Sequence, residues 1–159
     1  MMSNRQLLEK FITENLDNAY RFAYSYTKNS QAAEDVVSES VIKALSAIDT
    51  LKNKEFLKTW FYRIIINTAI SRIRSEQKII YIDSKDTDIY EKTFDDYSHI
   101  TLNEFIEKLD EKYKTVIILR YFEDMTLEEI SKVTGENLST VKSRLYRGLK
   151  ILKTEMEED

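Results

Sequence analysis

Apolar residues recur at every third or fourth position over most of the 159-residue chain. This spacing places them on one face of an α-helix. Near the N-terminus the first series is Leu7, Leu8, Phe11, Ile12, Leu16, Ala19, Tyr20, Ala23 and Tyr24. The second is Val36, Val37, Val41, Ala44, Leu45 and Ile48. The third is Phe56, Leu57, Trp60, Phe61, Ile64, Ile65 and Thr68, in a helix expected to end near Ser75. Three helices with short connections predict a compact bundle of three or four helices.

Helix starts are marked by side chains that can form hydrogen bonds with the unpaired backbone N–H groups of the first turn. Ser3 and Gln6 have the spacing of a capping box at the start of the first helix. A break at Lys28-Asn29-Ser30 separates the first two helices. Ser30 is the expected N-cap of the second helix, which should end near Ile48.

The C-terminal part of the chain predicts a helix-turn-helix. Thr101 with Glu104, and Thr126 with Glu129, have capping-box spacing before apolar runs. The helix after Thr126 should stop at Gly135, which suits a left-handed helix end. Ser139 is then the expected cap of the last helix, whose apolar stripe is Val141, Leu145, Leu149, Leu152 and Met156. A short helix, a glycine turn and a longer helix indicate a helix-turn-helix over about 126–147.

Between Ile79 and Ile100 the helical periodicity fades and acidic residues dominate. The acids are Asp83, Asp86, Asp88, Glu91, Asp95 and Asp96, against Lys85 and Lys92. A stretch of this length without periodicity is uncommon inside one compact domain. The sequence therefore predicts two small domains, 1–78 and 101–159, joined by an acidic linker, 79–100.

Composition agrees with an all-α protein, because the chain has no proline and two glycines. It has no cysteine, and its single histidine, His99, has no partner at ligand spacing, so we expect neither a metal site nor a cofactor. No apolar run approaches the roughly 20 residues of a membrane span, and we expect a cytoplasmic protein. A net charge of -4 argues against strong unaided binding to nucleic acid.

The last predicted helix carries a local basic face. Leu138 to Lys153 holds five basic residues and no acid. Short polar and basic residues lie opposite the apolar stripe, where arginine can contact guanine edges and lysine can contact phosphates. The candidates for DNA contact are Ser139, Thr140, Lys142, Ser143, Arg144, Arg147 and Lys150, with Arg144 and Arg147 expected to reach bases.

A second basic stretch lies on and after the third helix, with aromatic residues between the cations. Aromatic platforms beside positive charge are typical of single-strand recognition. We expect Trp60 and Phe61 to belong to the core, which leaves Tyr62 and Arg63 as candidate contacts.

Three segments together resemble region 2 of extracytoplasmic-function sigma factors, which are subunits of bacterial RNA polymerase. They are Tyr20-Arg-Phe-Ala-Tyr-Ser-Tyr-Thr-Lys-Asn, Ala33-Glu-Asp-Val-Val-Ser-Glu-Ser-Val-Ile-Lys-Ala and Phe56-Leu-Lys-Thr-Trp-Phe-Tyr-Arg-Ile-Ile-Ile-Asn. Leu109 to Leu152 resembles region 4 of the same family, especially at Met125-Thr-Leu-Glu-Glu-Ile-Ser and Ser139-Thr-Val-Lys-Ser-Arg-Leu-Tyr-Arg-Gly.

The resemblance implies a promoter-specific initiation factor without catalytic residues. It implies that Asp35, Ser38, Glu39 and Lys43 face the clamp helices of the large polymerase subunit, with region 4 near the flap. It also implies that the melted minus-ten element is bound by seven residues of the third helix and the loop before it: Lys54, Lys58, Tyr62, Arg63, Asn67, Arg72 and Arg74. The basic face of the last helix would read the minus-thirty-five element. The resemblance further suggests an anti-sigma factor, often membrane-bound, that responds to envelope stress.

Some positions depart from the family pattern. Ser38 stands where glutamine is frequent, Val41 where phenylalanine is frequent, and Ser71 where aspartate often follows the asparagine of helix three. These departures concern the docking contacts and leave the architecture unchanged.

Three other functions are compatible with parts of the sequence. A dimeric helix-turn-helix repressor or activator would bind an operator without polymerase. A metal-dependent nuclease or recombinase would use linker acids such as Asp95 and Asp96. A helical adaptor without a DNA role would tolerate loss of Arg144 and Arg147.

Overall fold

A computed structural model gives the fold of the protein and describes residues 1–83 and 102–158. Within these two ranges the chain forms α-helices, two short 3-10 turns and no strand. The helices are α1 (Asn4–Thr27), α2 (Ser30–Ala47), α3 (Leu57–Asp83), α4 (Leu102–Glu107), α5 (Glu111–Tyr121), α6 (Leu127–Thr134) and α7 (Leu138–Glu158). The 3-10 turns, Ile48–Thr50 and Lys54–Phe56, lie between α2 and α3. The prediction of two all-α domains is confirmed.

Helices α1, α2 and α3 pack against one another as the N-terminal bundle. Their apolar faces meet in a core that contains Phe22, Val36, Phe61 and Ile65, each no more than 1% exposed. Phe61 is therefore a core residue, as predicted, whereas Trp60 is only partly buried against the core. Helix α1 kinks at Asn15, whose backbone is not helical and whose side-chain amide donates to the Phe11 carbonyl at 2.8 Å.

The ends of the N-terminal helices follow local capping chemistry, with two corrections. The Ser3–Gln6 capping box is present. The N-cap of α2 is Asn29 rather than Ser30, because the side-chain oxygen Oδ1 of Asn29 accepts a hydrogen bond from Ala32 N at 2.8 Å. Helix α3 continues to Asp83 instead of ending near Ser75, since no glycine or proline interrupts it. The predicted linker 79–100 thus begins inside α3, and its remainder from residue 84 onward lies outside the described residues.

Helices α4 to α7 form the C-terminal domain, with α6, its turn and α7 as the helix-turn-helix. The Thr126–Glu129 capping box is present, and Gly135 ends α6 with a φ of 76°, as predicted. Asn137, rather than Ser139, caps α7, because its side-chain oxygen accepts from Thr140 N at 2.9 Å. Thr101 of the other predicted capping box lies outside the described residues.

A glycine lets α5 and α7 approach closely. A Cβ on Gly148 would lie 2.9 Å from Ile117 Cδ1 and 3.2 Å from Tyr113 Cβ. The apolar stripe of α7 is buried at Val141, Leu145 and Leu152, and Leu149 is partly buried. Met156 is 43% exposed, so its assignment to the buried stripe is wrong. It lies two residues before the end of α7 at Glu158, where a helix has few neighbours to cover its side chains.

The two domains meet along a contact that we call the interdomain seam. Helix α3 packs against α6. At the seam, Ser25, Tyr26, Lys58, Tyr62 and Arg63 of the N-terminal bundle contact Lys114, Thr115, Glu123 and Lys132 of the C-terminal domain.

Candidate functional site

The outward face of α7 presents the predicted DNA contacts. Ser139, Lys142, Ser143, Arg147 and Lys150 are exposed. Burial of Val141 and Leu145 on the opposite side of the helix fixes this orientation. Thr140 and Arg144 are partly exposed, and Arg144 Nη1 lies 3.6 Å from Glu136 Oε1 in the turn.

The start of α7 also forms one wall of a polar cleft of about 370 Å³. Five predicted residues line it: Ser139, Thr140, Ser143, Arg144 and Arg147. The other wall is Lys112 and Tyr113 at the start of α5, with the Lys112 Nζ 5.1 Å from the Tyr113 ring centroid. Three cationic and four hydroxyl-bearing side chains lining one cleft are suited to bind a phosphate.

Sequence reasoning missed three contact candidates of the C-terminal domain. Lys112 and Tyr113 belong to the cleft only because α5 packs beside α7. Tyr146 lies on the recognition helix between Ser143 and Arg147 and is 72% exposed. A signal for Tyr146 was available, because it falls outside the apolar stripe.

The outer face of α2 holds the residues predicted to contact polymerase. Ser38, Glu39 and Lys43 are exposed, and Asp35 is partly exposed. Lys43 Nζ lies 3.1 Å from Glu39 Oε2 and 3.1 Å from Thr68 Oγ1 of α3. Ile42 is 65% exposed on the same face and was missed, although it too stands outside the apolar series. The face therefore combines acids with an apolar side chain that is mostly exposed to solvent.

The predicted single-strand contacts, on α3 and the 3-10 turn before it, fall into three groups. Lys54, Arg63, Asn67 and Arg74 are exposed. Arg72 is partly buried and forms ion pairs with Asp35 at 3.2 Å and Glu76 at 2.9 Å, so that it ties α3 to α2. Lys58 and Tyr62 lie in the interdomain seam, and the exposed Arg63 lies at its edge, where it donates to the Lys132 carbonyl oxygen at 3.0 Å.

Tyr62 is fully buried, and its hydroxyl donates to Glu123 Oε1 at 2.6 Å. Burial raises the pKa of Tyr62, and the hydrogen bond to Glu123 raises it further. The pKa of Glu123 is also raised by burial, against the opposing effects of the Tyr62 hydrogen bond and the Lys58 charge. In the arrangement described here a nucleic-acid base has no access to Tyr62.

Over the described part of the chain, no cluster of three or more histidine, cysteine, aspartate or glutamate side chains is placed to hold a metal ion. His99, Asp95 and Asp96 lie outside that part. None of the helices in the described ranges is both long and apolar enough to span a membrane.

Comparison with known families identifies both domains. The Sigma-70 region 2 family matches residues 11–79, and the Sigma-70 region 4 family matches residues 99–152. The RNA polymerase sigma factor SigV of Bacillus subtilis (strain 168) is 43% identical over 158 residues, which are 99% of this chain and 95% of SigV. The ECF RNA polymerase sigma factor SigW of the same organism is 31% identical, over 89% of this chain and 84% of SigW.

Solved structures share the fold. The sigma factor RpoE in complex with the anti-sigma factor NepR, from Bartonella quintana, aligns with a TM-score of 0.79 at 21% identity over 95% of this chain and 97% of RpoE. CnrH in complex with the cytosolic domain of CnrY aligns with a TM-score of 0.70 at 18% identity, over 96% of this chain and 88% of that one.

The two helical domains match regions 2 and 4 of the Sigma-70 family, which makes the protein a transcription initiation factor that works with a polymerase. The chain belongs to the extracytoplasmic-function group of the sigma-70 family of RNA polymerase sigma factors. The family resemblance drawn from the sequence is confirmed, and with it the binding of RNA polymerase and promoter DNA.

Proposed function

We propose that this sigma factor selects its promoters at two separated surfaces. The outward face of α7, with Arg144 and Arg147 at its centre, reads the duplex minus-thirty-five element in the major groove. The cleft between α5 and α7 holds a neighbouring phosphate. The exposed cations and Asn67 of α3 contact the melted minus-ten strand.

The acidic and apolar outer face of α2 is proposed to dock on polymerase. Asp35 and Glu39 lie one helical turn apart and can meet a basic partner surface. Ile42 supplies an apolar side chain beside them, 65% of which is in water.

The observation that carries the proposal is the composition of the α7 face. On a chain with a net charge of -4, five cations and no acid occupy Leu138 to Lys153. The local positive charge suits phosphate contact, while the net negative charge disfavours tight unaided binding. Attachment of both domains to one polymerase makes the second DNA contact intramolecular and so raises the apparent affinity.

We further propose that this sigma factor performs no bond chemistry, works in the cytoplasm beside the polymerase, and is held inactive by an anti-sigma factor until envelope stress. Support for such a regulator comes from RpoE and CnrH, since RpoE is bound to the anti-sigma factor NepR and CnrH to the cytosolic domain of CnrY.

In vitro transcription with core RNA polymerase on a pool of genomic promoters tests the proposal. We expect new start sites that share two spaced sequence elements. Arg147→Ala should abolish most of these starts, whereas Lys10→Ala, an exposed cation of α1, should leave them unchanged. Operator binding without polymerase, and no new start sites, would instead identify a helix-turn-helix regulator.

A further inference from the structure

Arg72 of α3 has the charge expected of a DNA contact, but its guanidinium is engaged inside the N-terminal bundle. Its Nη2 lies 3.2 Å from Asp35 Oδ2 of α2, and its Nε lies 2.9 Å from Glu76 Oε2 of α3. The Arg72 side chain is 32% exposed, less than either of the two carboxylates. Two acids beside one cation repel a phosphate, so Arg72 is poorly suited to contact a DNA strand.

The carboxylate of Asp35 is held from two sides. Gln31 Nε2, one turn earlier on α2, donates to Asp35 Oδ1 at 3.1 Å, while Arg72 occupies Oδ2. A carboxylate oxygen can accept more than one hydrogen bond, and the Asp35 side chain is 43% exposed. The group is therefore fixed in orientation and still open to a partner.

The second acid of the docking face is also connected to α3. Lys43 Nζ lies 3.1 Å from Glu39 Oε2 and donates to Thr68 Oγ1 at 3.1 Å. Thr68 is 2% exposed, so this end of the link is anchored in the bundle. Asp35 and Glu39 are thus each linked to α3, one through Arg72 and the other through Lys43.

Such links favour docking because they fix side chains before the partner arrives. Ordering a flexible side chain at an interface costs free energy, and a side chain that is already ordered avoids that cost. A lone exposed ion pair would contribute little, whereas the Gln31–Asp35–Arg72–Glu76 network joins four side chains across two helices. Arginine suits this position because its planar group can hold two carboxylates at once, which the single ammonium of lysine does less well.

From these contacts we infer that Arg72 is a positioning residue for polymerase binding: it holds the Asp35 carboxylate of α2 from α3 and does not contact the melted strand. The contacts of Arg72 stand by themselves, whereas their use in docking rests on the proposed function of the α2 face.

The affinity of the full-length chain for immobilised core RNA polymerase, measured by biolayer interferometry, tests the inference. Asp35→Asn should weaken binding by about ten-fold, because it removes a charge from the interface. Arg72→Gln should weaken binding by about two- to ten-fold, the equivalent of ordering one flexible side chain. The matched controls are Glu34→Gln, an exposed acid of α2, and Lys10→Gln, an exposed cation of α1; both should bind as the wild type does.

A double-mutant cycle separates positioning from a general structural effect. If Arg72 acts through Asp35, adding Arg72→Gln to Asp35→Asn should cause no further loss of affinity. Thermal unfolding of each variant checks that the bundle remains folded. Full additivity of the two losses in folded protein, or unchanged affinity of Arg72→Gln while Asp35→Asn is weakened, would overturn the inference. Unchanged affinity of Asp35→Asn would count against the proposed docking of Asp35 and would remove the inference with it.

DNA binding by the assembled holoenzyme tests the other half of the inference. Each variant is saturated with core polymerase, and its affinity for a labelled single-stranded oligonucleotide carrying a promoter minus-ten sequence is measured by fluorescence anisotropy. Arg72→Gln should bind the strand as the wild type does, whereas Arg74→Gln, which removes an exposed cation of the same helix, should bind it about three-fold or more weakly. Equal losses in the two variants would make Arg72 a DNA contact and overturn the inference. Wild-type binding by Arg74→Gln would count only against the proposed strand contacts of α3.

Discussion

Replacing Gly148 with alanine tests the packing that positions the recognition helix. The added Cβ would lie 2.9 Å from Ile117 Cδ1 and 3.2 Å from Tyr113 Cβ. Ile117 is 2% exposed, so its side chain has little free space to move into. Tyr113 Cβ is attached directly to the backbone of α5, so relief of that contact requires α5 and α7 to separate.

Two opposing effects set the magnitude. Gly to Ala in a helix interior stabilises by about 1 kcal/mol through helix propensity. Inserting a methyl group into a packed interface costs about 1–3 kcal/mol. The contact with Tyr113 favours the upper part of this range, so we expect a net loss of about 1–2 kcal/mol. The same separation would widen the polar cleft between the two helices and weaken promoter recognition.

Urea unfolding followed by circular dichroism measures the change. Thr154→Ala is the matched control, because it places alanine at an exposed position of the same helix and should stabilise by roughly 0.5 kcal/mol. If Gly148→Ala is as stabilising as Thr154→Ala, the close approach of α5 and α7 does not constrain residue 148, and the argument is refuted.

Three further predictions address recognition, capping and pH. Arg144→Ala and Arg147→Ala should each reduce transcription in vitro by about 10-fold or more, since one base contact contributes about 1–3 kcal/mol; unchanged transcription from both variants would point to an adaptor without a DNA role. Thr126→Ala removes the acceptor of Glu129 N, 3.0 Å away, and should lower the free energy of unfolding by about 1 kcal/mol; Thr13→Ala, whose hydroxyl donates only to Glu9 O within α1, should cost less in the same urea experiment. Burial lowers the pKa of Lys114 from 10.5 to about 8, helped by the Lys28 charge and opposed by Glu107 and Glu111. Between pH 8 and pH 10.5 Lys114 is therefore protonated in the unfolded chain and neutral in the folded one. The free energy of unfolding of the wild type should rise with pH relative to that of Lys114→Met. Parallel curves of this free energy from pH 7 to pH 10 would contradict the prediction.

The sequence by itself determined the local features of the protein. The apolar periodicity placed the helices, and the capping boxes at Ser3 and Thr126 and the left-handed stop at Gly135 followed from neighbouring residues. The basic face of α7 followed from the same geometry, because the spacing of residues along a helix determines which of them lie on the same side. These features depend on residues within four positions of one another, so no knowledge of the fold was needed.

Competition between adjacent residues limited the local predictions. Asn29 and Asn137, rather than Ser30 and Ser139, cap α2 and α7. Asparagine and serine cap about equally well, so the choice depends on backbone geometry at the turn. The length of α3 was underestimated because periodicity fades before the helix ends.

Only the tertiary structure decided the contacts between distant residues. Tyr62 and Glu123 are 61 positions apart, and nothing in either neighbourhood shows that they share a buried hydrogen bond. The same holds for Lys112 and Arg144, which line one cleft, and for the space that Gly148 leaves for Ile117. Such contacts depend on how helices cross after the chain has folded, and periodicity reports only which face of each helix is apolar.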